Sequence, residues 1–334
     1  MQRNRTRLKD IAVATGYSAN TVSLALRDSP RISEEARDRI QSAARSLNYF
    51  PNTIAQALVS RETRTIGLII TDIMNPTLTL VSRSLERELS ARGYALMLAA
   101  SDFVPEKELK ALDVFRARQV DGILIYPTNH DELDQIRAVR QAGYPVLVLA
   151  DIPFAGLDVV AINDRTGGYR AVRHLIERGH RRIAVLDAAL AANSEKREGA
   201  LRAVKEAGLA DDALVVVRPR GHSATDGYKA MAEAMRGTER PTALFATTDW
   251  LAFGAMRWCR EQGIAVPDDL AVVGYDNTEA ADFSPVPITS INYAVAEVSH
   301  HAVERMLALI KKPSPVPTPI VTLIDPELVV RASS

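Results

Sequence analysis

Leu8-Lys9-Asp10-Ile11-Ala12-Val13-Ala14-Thr15-Gly16-Tyr17-Ser18-Ala19-Asn20-Thr21-Val22-Ser23-Leu24-Ala25-Leu26 decides how the chain begins. Leu8, Ile11, Ala12 and Thr15 recur at helical spacing, and Thr6 is placed to cap a helix over residues 7–15. Gly16 stops that helix. Ser18 then caps a second short helix running to about Leu26, with Val22 and Leu26 turned inward, until Arg27-Asp28-Ser29-Pro30 breaks it. Two short helices on so tight a turn form a helix-turn-helix, whose second helix can enter the major groove of DNA. Ser33 caps a third helix with Glu34 and Glu35 in its first turn, where the helix dipole favours acids. Ala36, Ile40, Ala43, Ala44 and Leu47 give it an apolar face. The expectation is an all-α headpiece over residues 1–50.

Working outward, Asn52 can cap a helix of under two turns, too short to persist in water without a partner, and Ser60-Arg61-Glu62-Thr63-Arg64 is polar. Residues 51–64 therefore read as a short helix and linker. From Thr65 the pattern changes to strands alternating with helices. Apolar strands are expected at Ile66–Ile70, Tyr94–Ala99, Gly122–Tyr126, Val146–Leu149, Arg182–Leu186, Ala243–Ala246 and Leu270–Tyr275, with Glu327–Val330 last. Helix-glycine-strand junctions recur at Gly93, Gly143, Gly179, Gly208 and Gly263. That alternation predicts parallel doubly wound sheets covered on both faces. There are too many strands for one small sheet, so residues 65–334 read as two similar lobes. Prolines at 313, 315, 317 and 319 predict an extended connector.

The whole-chain totals exclude several classes of function. The 334 residues, 47% apolar and 25% charged, suit a packed two- or three-domain protein. No apolar run is long enough for a membrane span, and no apolar stretch follows the basic N-terminus to make a signal peptide. Cys259 is the only cysteine, which fits a reducing cytoplasm. Residues 1–65 hold eleven Lys and Arg against six Asp and Glu, whereas the remainder holds thirty against thirty-five. A basic head on an acidic body suits a phosphate-binding module joined to a domain that does not bind nucleic acid. His174, His180, His300 and His301 show no metal-ligand spacing. Gly167-Gly168 lies in neither a G-x-G-x-x-G nor a P-loop motif. No cofactor, metal or catalytic constellation is expected, and the chain reads as no enzyme.

Several segments in order and spacing resemble the lactose-repressor (LacI/GalR) family of bacterial transcription regulators. They are Leu8-Lys9-Asp10-Ile11-Ala12, Asn20-Thr21-Val22-Ser23, Ile32-Ser33-Glu34-Glu35-Ala36-Arg37, Leu47-Asn48-Tyr49-Phe50-Pro51-Asn52 and Arg64-Thr65-Ile66-Gly67-Leu68. Later matches are Arg178-Gly179-His180-Arg181-Arg182-Ile183, Val272-Val273-Gly274-Tyr275-Asp276 and Pro326-Glu327-Leu328-Val329-Val330-Arg331. The resemblance implies a headpiece, a hinge helix and a two-lobed periplasmic-binding-protein-like core that forms a homodimer and binds a small effector in its cleft.

On this reading the second helix presents Ala19, Asn20, Ser23, Leu24 and Arg27 to operator DNA, and Ser18 and Thr21 share its face. Asn pairs with adenine in bidentate fashion, Ser is a permissive reader, and Ala or Leu can touch a thymine methyl. Arg27 and Arg31 suit phosphates, which set register and affinity. Ser18 and Ser33 remain helix caps whatever else they meet. Leu24 stands where many members carry arginine, so a guanine contact is missing there. By the same resemblance Asn52 and Ala55 face the minor groove and Leu58 is an apolar wedge that kinks the duplex.

A cleft needs a few polar groups to orient its ligand, and doubly wound sheets place ligands beyond their strand ends. Asp72, Asn75, Asp151, Asp249 and Asp276 stand there; the family counterpart of Asp276 bonds effector hydroxyls. Four carboxylates suit the vicinal hydroxyls of a sugar-like effector. Lys196 replaces the family's usual arginine, which puts bidentate recognition in question. His222 replaces a frequent aromatic and reads equally as a stacking group or an exposed loop histidine. Thr77 replaces a frequent phenylalanine, which leaves room for an effector other than an ordinary hexose. The sequence thus predicts a regulator of transcription, most simply a dimeric repressor. A cytoplasmic small-molecule binding protein without operator specificity is the alternative, and it leaves the headpiece unexplained.

Overall fold

Gly16 adopts φ 77° and its N–H closes on the Ala12 carbonyl, which ends helix α1 (Leu8–Thr15) in the left-handed conformation that glycine allows. These atoms come from a computed structural model that describes residues 6–50, 62–188, 194–311 and 318–334. Two units separate after Thr63. In the first, α2 (Ala19–Ala25) starts at Ser18, whose Oγ accepts the Thr21 N–H at 3.0 Å. Helix α3 (Glu34–Ser46) starts at Ser33, whose Oγ accepts the Ala36 N–H at 3.4 Å. Ile11, Val22, Ala25, Ile40 and Ala44 form the buried core, with Leu8, Ala12, Leu26, Ala43 and Leu47 packed around it. Thr6 does not cap α1. Arg7 holds the N-cap position, and the Thr6 hydroxyl donates instead to the Leu47 carbonyl at 2.8 Å, tying the start of the head to the end of α3.

The second unit carries two six-stranded sheets. In chain order the strands are β1 Thr65–Ile70, β2 Ala95–Ala100, β3 Gly122–Ile125, β4 Val146–Val148, β5 Asp158–Ile162, β6 Ile183–Leu186, β7 Leu214–Val217, β8 Ala243–Ala246, β9 Ala271–Asp276, β10 Thr289–Asn292, β11 Val321–Ile324 and β12 Leu328–Val329. One sheet runs β11-β5-β4-β3-β1-β2 and the other β12-β10-β9-β8-β6-β7. Every pairing is parallel except β10 with β12. Strands β1, β3 and β4 are buried on both faces, as sheets covered by helices on two sides require.

The larger helices are α4 (Pro76–Ser90), α5 (Pro105–Ala117), α6 (Asp134–Gln141), α7 (Asp164–Glu177), α8 (Ser194–Glu206), α9 (Ala224–Ala234), α10 (Asp249–Glu261) and α12 (Val295–Lys311), with a short α11 (Glu279–Asp282). After β5 the chain leaves the first sheet for α7, which packs on β9 and β10; after β10 it returns as α12, which packs on α4, β4 and β5. Between β11 and β12 it crosses again. These crossings tie the lobes together and put the carboxyl ends of both sheets around one cleft.

Gly167 and Gly168 prove to be packing residues inside α7. A methyl group on Gly168 would run into the Lys196 carbonyl of α8, and one on Gly199 would run into the Arg165 carbonyl. The two helices therefore touch backbone to backbone, which brings Lys196 to the cleft. No helix among the described residues is long and apolar enough to cross a membrane.

Candidate functional site

In the head, α2 spends Val22 and Ala25 on the core and leaves Ser18, Ala19 and Asn20 exposed. Thr21, Ser23 and Leu24 are half-buried. Leu24 stands outside the core cluster, as its spacing from Val22 and Leu26 suggests. The Ser18 and Thr21 hydroxyls lie 2.8 Å apart, so the cap occupies both. Arg27 folds back along the helix, its guanidinium donating to the Ser23 carbonyl and, at 3.0 Å, to the Ser23 hydroxyl. Arg31 is exposed. Asn52, Ala55 and Leu58 lie outside the described residues.

The cleft of the larger unit is two adjoining chambers. The inner one, of 120 Å³, is lined by Thr77, Tyr126, Asp151, Asp164, Lys196, Asp276 and Tyr293 among others. The outer one, of 380 Å³, is lined by Asp72, Met74, Arg220, Ser223, Asp226 and Trp250. Asn75, Phe103, His222, Thr248 and Asp276 belong to both. Two contacts span the cleft. The Phe103 and His222 rings stack with centroids 5.2 Å apart and planes 16° from parallel. The Tyr126 and Tyr293 hydroxyls meet at 3.0 Å.

Helix termini position most of the polar groups. Asn75 caps α4, its Oδ1 accepting the Thr77 N–H at 3.0 Å. Asp72 accepts the Met74 N–H at 2.8 Å. Asp151 accepts the Asp164 N–H at 3.1 Å, and Asp164 accepts the Tyr275 hydroxyl at 2.6 Å. Lys196 Nζ donates to the Thr247 carbonyl at 3.1 Å and stands 3.6 Å from the Tyr275 ring centroid, a cation held on an aromatic face. Asp276 ends β9 at φ 108°, a strained conformation for a side-chain-bearing residue. Burial pushes its carboxyl up to about 8 against the opposing pull of Lys196, and burial likewise raises Asp151 to about 7. Burial and then Lys196 lower His222, so its ring stays neutral.

Asp249 does not join this set. It is fully buried, with Oδ2 accepting the Thr278 N–H at 2.7 Å and hydroxyl at 2.9 Å, and Oδ1 accepting the Ser290 hydroxyl at 2.7 Å. Its carboxylate pins β10 and the start of α11 to α10 and lines neither chamber. The other six candidates, Asp72, Asn75, Asp151, Lys196, His222 and Asp276, all line the cleft. Sequence reasoning missed Asp164, Phe103, Tyr126 and Tyr293. Tyr126 directly follows β3, so the strand-end rule that found the aspartates could have found it, whereas Tyr293 follows β10, a strand the sequence does not announce. Asp164 resembles an ordinary first-turn acid of a helix and carries no such signal. Among the described residues no cluster of His, Cys, Asp and Glu could hold a metal ion.

Comparison with known proteins agrees with both units. A model described as bacterial regulatory proteins, lacI family, matches residues 7–52, and one described as a periplasmic binding protein-like domain matches residues 172–334. The transcriptional regulator DegA of Bacillus subtilis is 32% identical over 300 residues, 88% of each chain. A crystal structure of the Lac repressor dimer bound to operator and the anti-inducer ONPF superposes with a TM-score of 0.87 at 25% identity, over 99% of each chain. A complex of the transcriptional regulator CelR with cellobiose superposes at 0.71 with 27% identity, covering 99% of this chain and 100% of that one. These relatives are named as regulators, not enzymes. With a helix-turn-helix unit, a two-lobed effector core and that likeness along nearly its full length, the chain belongs to the LacI family of bacterial regulatory proteins and is a DNA-binding transcriptional regulator controlled by a small-molecule effector.

Proposed function

We propose that the protein is a homodimeric repressor that reads a near-palindromic operator through α2 and is governed by a hydroxylated small molecule in the cleft. The observation that carries the operator reading is the outward face of α2. Val22 and Ala25 are consumed by the core, while Ala19, Asn20 and the Leu24 side chain stay free to meet base edges. Arg27 and Arg31 supply phosphate contacts, and Arg27 must release Ser23 to do so. Asn52 and Ala55 enter the minor groove and Leu58 wedges a base step, where unstacking costs a few kcal/mol and the bend brings compensating contacts.

The dimer covers apolar surface that the monomer exposes. Phe253, Met256, Val266, Pro285 and Val286 frame a groove of 420 Å³ on the second lobe, and Phe283 is 80% exposed. Leu98 on the edge strand β2 is also exposed. Two-fold symmetry in the protein then predicts two-fold symmetry in the operator. The effector lies across both lobes, with Asp276, Asp151 and Lys196 in the inner chamber, Asp72 in the outer one, and Asn75 and His222 between them. Because it touches both lobes, its binding shifts their relation, and by linkage operator and effector change each other's affinity by one factor. Fluorescence anisotropy on DNA from upstream of the neighbouring genes, at moderate salt and with a sugar panel, tests the proposal. Operator-specific binding that one compound alters is expected; salt-sensitive binding without sequence preference refutes it.

A further inference from the structure

The charge balance of the inner chamber deepens the effector reading above, on which it rests. Asp151, Asp164 and Asp276 line that chamber against Lys196, the one ammonium or guanidinium among its described lining residues. His130 adds no positive charge, since burial pushes it down to about 4. Of the nearby arginines, Arg165 pairs with Glu195 at 2.8 Å, Arg197 with Asp187 at 2.6 Å, and Arg220 lines the outer chamber rather than this one. Lys196 is itself spent on the Thr247 carbonyl, the Tyr275 ring and, at 3.9 Å, Asp164. Among the described residues neither Asp151 nor Asp276 has an ion-pair partner within 4.0 Å.

A second observation points to a missing ligand group. The Thr77 hydroxyl lines the same chamber, is 4% exposed and meets no hydrogen-bond partner. It stands beside the Asp276 carboxylate and helps to hold that carboxyl down, although the contact falls short of regular hydrogen-bond geometry. The His222 Nε2 is also buried and unpartnered. A buried polar atom left unpaired is costly, and with no cation beside them burial keeps protons on Asp151 and Asp276. A neutral polyol can satisfy the hydroxyl and the ring nitrogen but leaves both acids protonated. A ligand with both hydroxyls and a protonated nitrogen satisfies all of them, and the surrounding Phe103, Tyr126 and Tyr293 rings favour a cation further.

We propose that the effector is a hydroxylated amine, an amino sugar in the simplest case, whose ammonium is held by Asp276 with Asp151 completing the charge balance. Thr77 and His222 take its hydroxyls. Such a ligand draws protons off the two carboxyls as it binds, because the cation stabilises their charged forms.

The test is isothermal titration calorimetry on the full chain at about pH 7, in phosphate and in MOPS, which differ in ionisation enthalpy and carry no hydroxylated amine. The probes are D-glucosamine and D-galactosamine, each beside its parent hexose and its N-acetyl derivative. The amines should bind about tenfold or more tightly than either neutral analogue, as a charge-assisted contact implies, and should release protons. Asp276→Asn should erase that preference; a melting curve checks that the variant is folded. The measurements on the unaltered protein decide the matter if it is not. Parent hexoses binding as tightly as the amines, or amine binding with no proton release, overturn the proposal and leave the cleft reading intact. Silence from every probe refutes the hydroxylated-effector reading itself.

Discussion

Replacing Lys196 by methionine removes one ammonium from the inner chamber and leaves a side chain of similar length on the Tyr275 ring. The structure fixes what that should cost. Lys196 is 7% exposed, and the carboxylates it compensates, Asp164 at 3.9 Å and Asp276, are themselves only partly exposed. Deleting one partner of such a buried charged group costs about 3–5 kcal/mol while the remaining charges stay ionised. They can escape by taking up protons, so the loss must depend on pH. The Asp151 and Asp276 carboxyls already sit at about 7 and about 8 in the folded chain, raised by burial. An acid raised on folding binds more protons folded than unfolded, so its stability is lost as pH climbs from the unfolded value through the folded one. Without Lys196 the Asp276 value climbs further. Differential scanning calorimetry should therefore show a small deficit relative to the parent at about pH 5.5, where the carboxyls are neutral. At about pH 8.5 the deficit should approach 3 kcal/mol, or roughly 6–12 °C in the melting of a domain this large. An equal deficit at both pH values would refute the electrostatic account and leave Lys196 as a packing residue.

Further expectations follow from single positions. Asn20→Ala should weaken operator binding by about 1–3 kcal/mol and relax sequence preference at one base pair, read by anisotropy on a set of single-base operator variants; an unchanged preference removes Asn20 from base reading. Leu58→Ala should weaken operator binding strongly and leave effector affinity nearly intact, since the wedge acts only on the duplex; equal operator affinity in a gel shift rules the wedge out. Gly168→Ala drives a methyl into the Lys196 backbone, so α7 and α8 must part, with a cost of about 1–3 kcal/mol as for overpacked cores. Calorimetry should find the larger unit destabilised and the head unchanged, whereas a neutral result would mean that the two helices slide apart freely.

The head was legible because its signals are local. Ser18 and Ser33 sit one residue before the helices they cap, and Gly16 ends α1 where the chain needs positive φ. Only Thr6 misled, since its hydroxyl serves the Leu47 carbonyl forty-one residues away. In the larger unit, strands flanked by a helix-glycine junction or by long apolar runs were readable. Strand β10 was not: Thr289 and Ser290 are polar by type, yet both are fully buried because Ser333, Arg331 and Asp249 satisfy them. Strands β5 and β11 have at most five residues each and no such junction before them, and the four residues of β7 stand six positions past the Gly208 junction. The crossings between lobes were equally invisible, since nothing local in Asn292 or Asp325 says that the chain is changing sheets.

Asp249 and Asp276 show where a strand-end rule stops being informative. Each follows or ends a buried parallel strand, each is an aspartate, and nothing in the flanking residues separates them. What separates them is Ser290 and Thr278, which lie forty-one and twenty-nine residues beyond Asp249 and satisfy both of its oxygens. Asp276 has only the Thr77 hydroxyl beside its carboxyl and is set at the mouth of the chamber by its own strained backbone. A carboxylate whose hydrogen bonds are complete stabilises the fold, and one left incomplete in a cavity is available to a ligand. The division between structural and ligand-facing acids is thus decided by long-range pairing. The same reasoning singles out Thr77, whose hydroxyl is buried, unpaired and beside the incomplete acid. Giving Thr77 the phenylalanine that many family members carry would remove that hydroxyl and crowd the inner chamber, and so should turn preference away from small hydroxylated ligands.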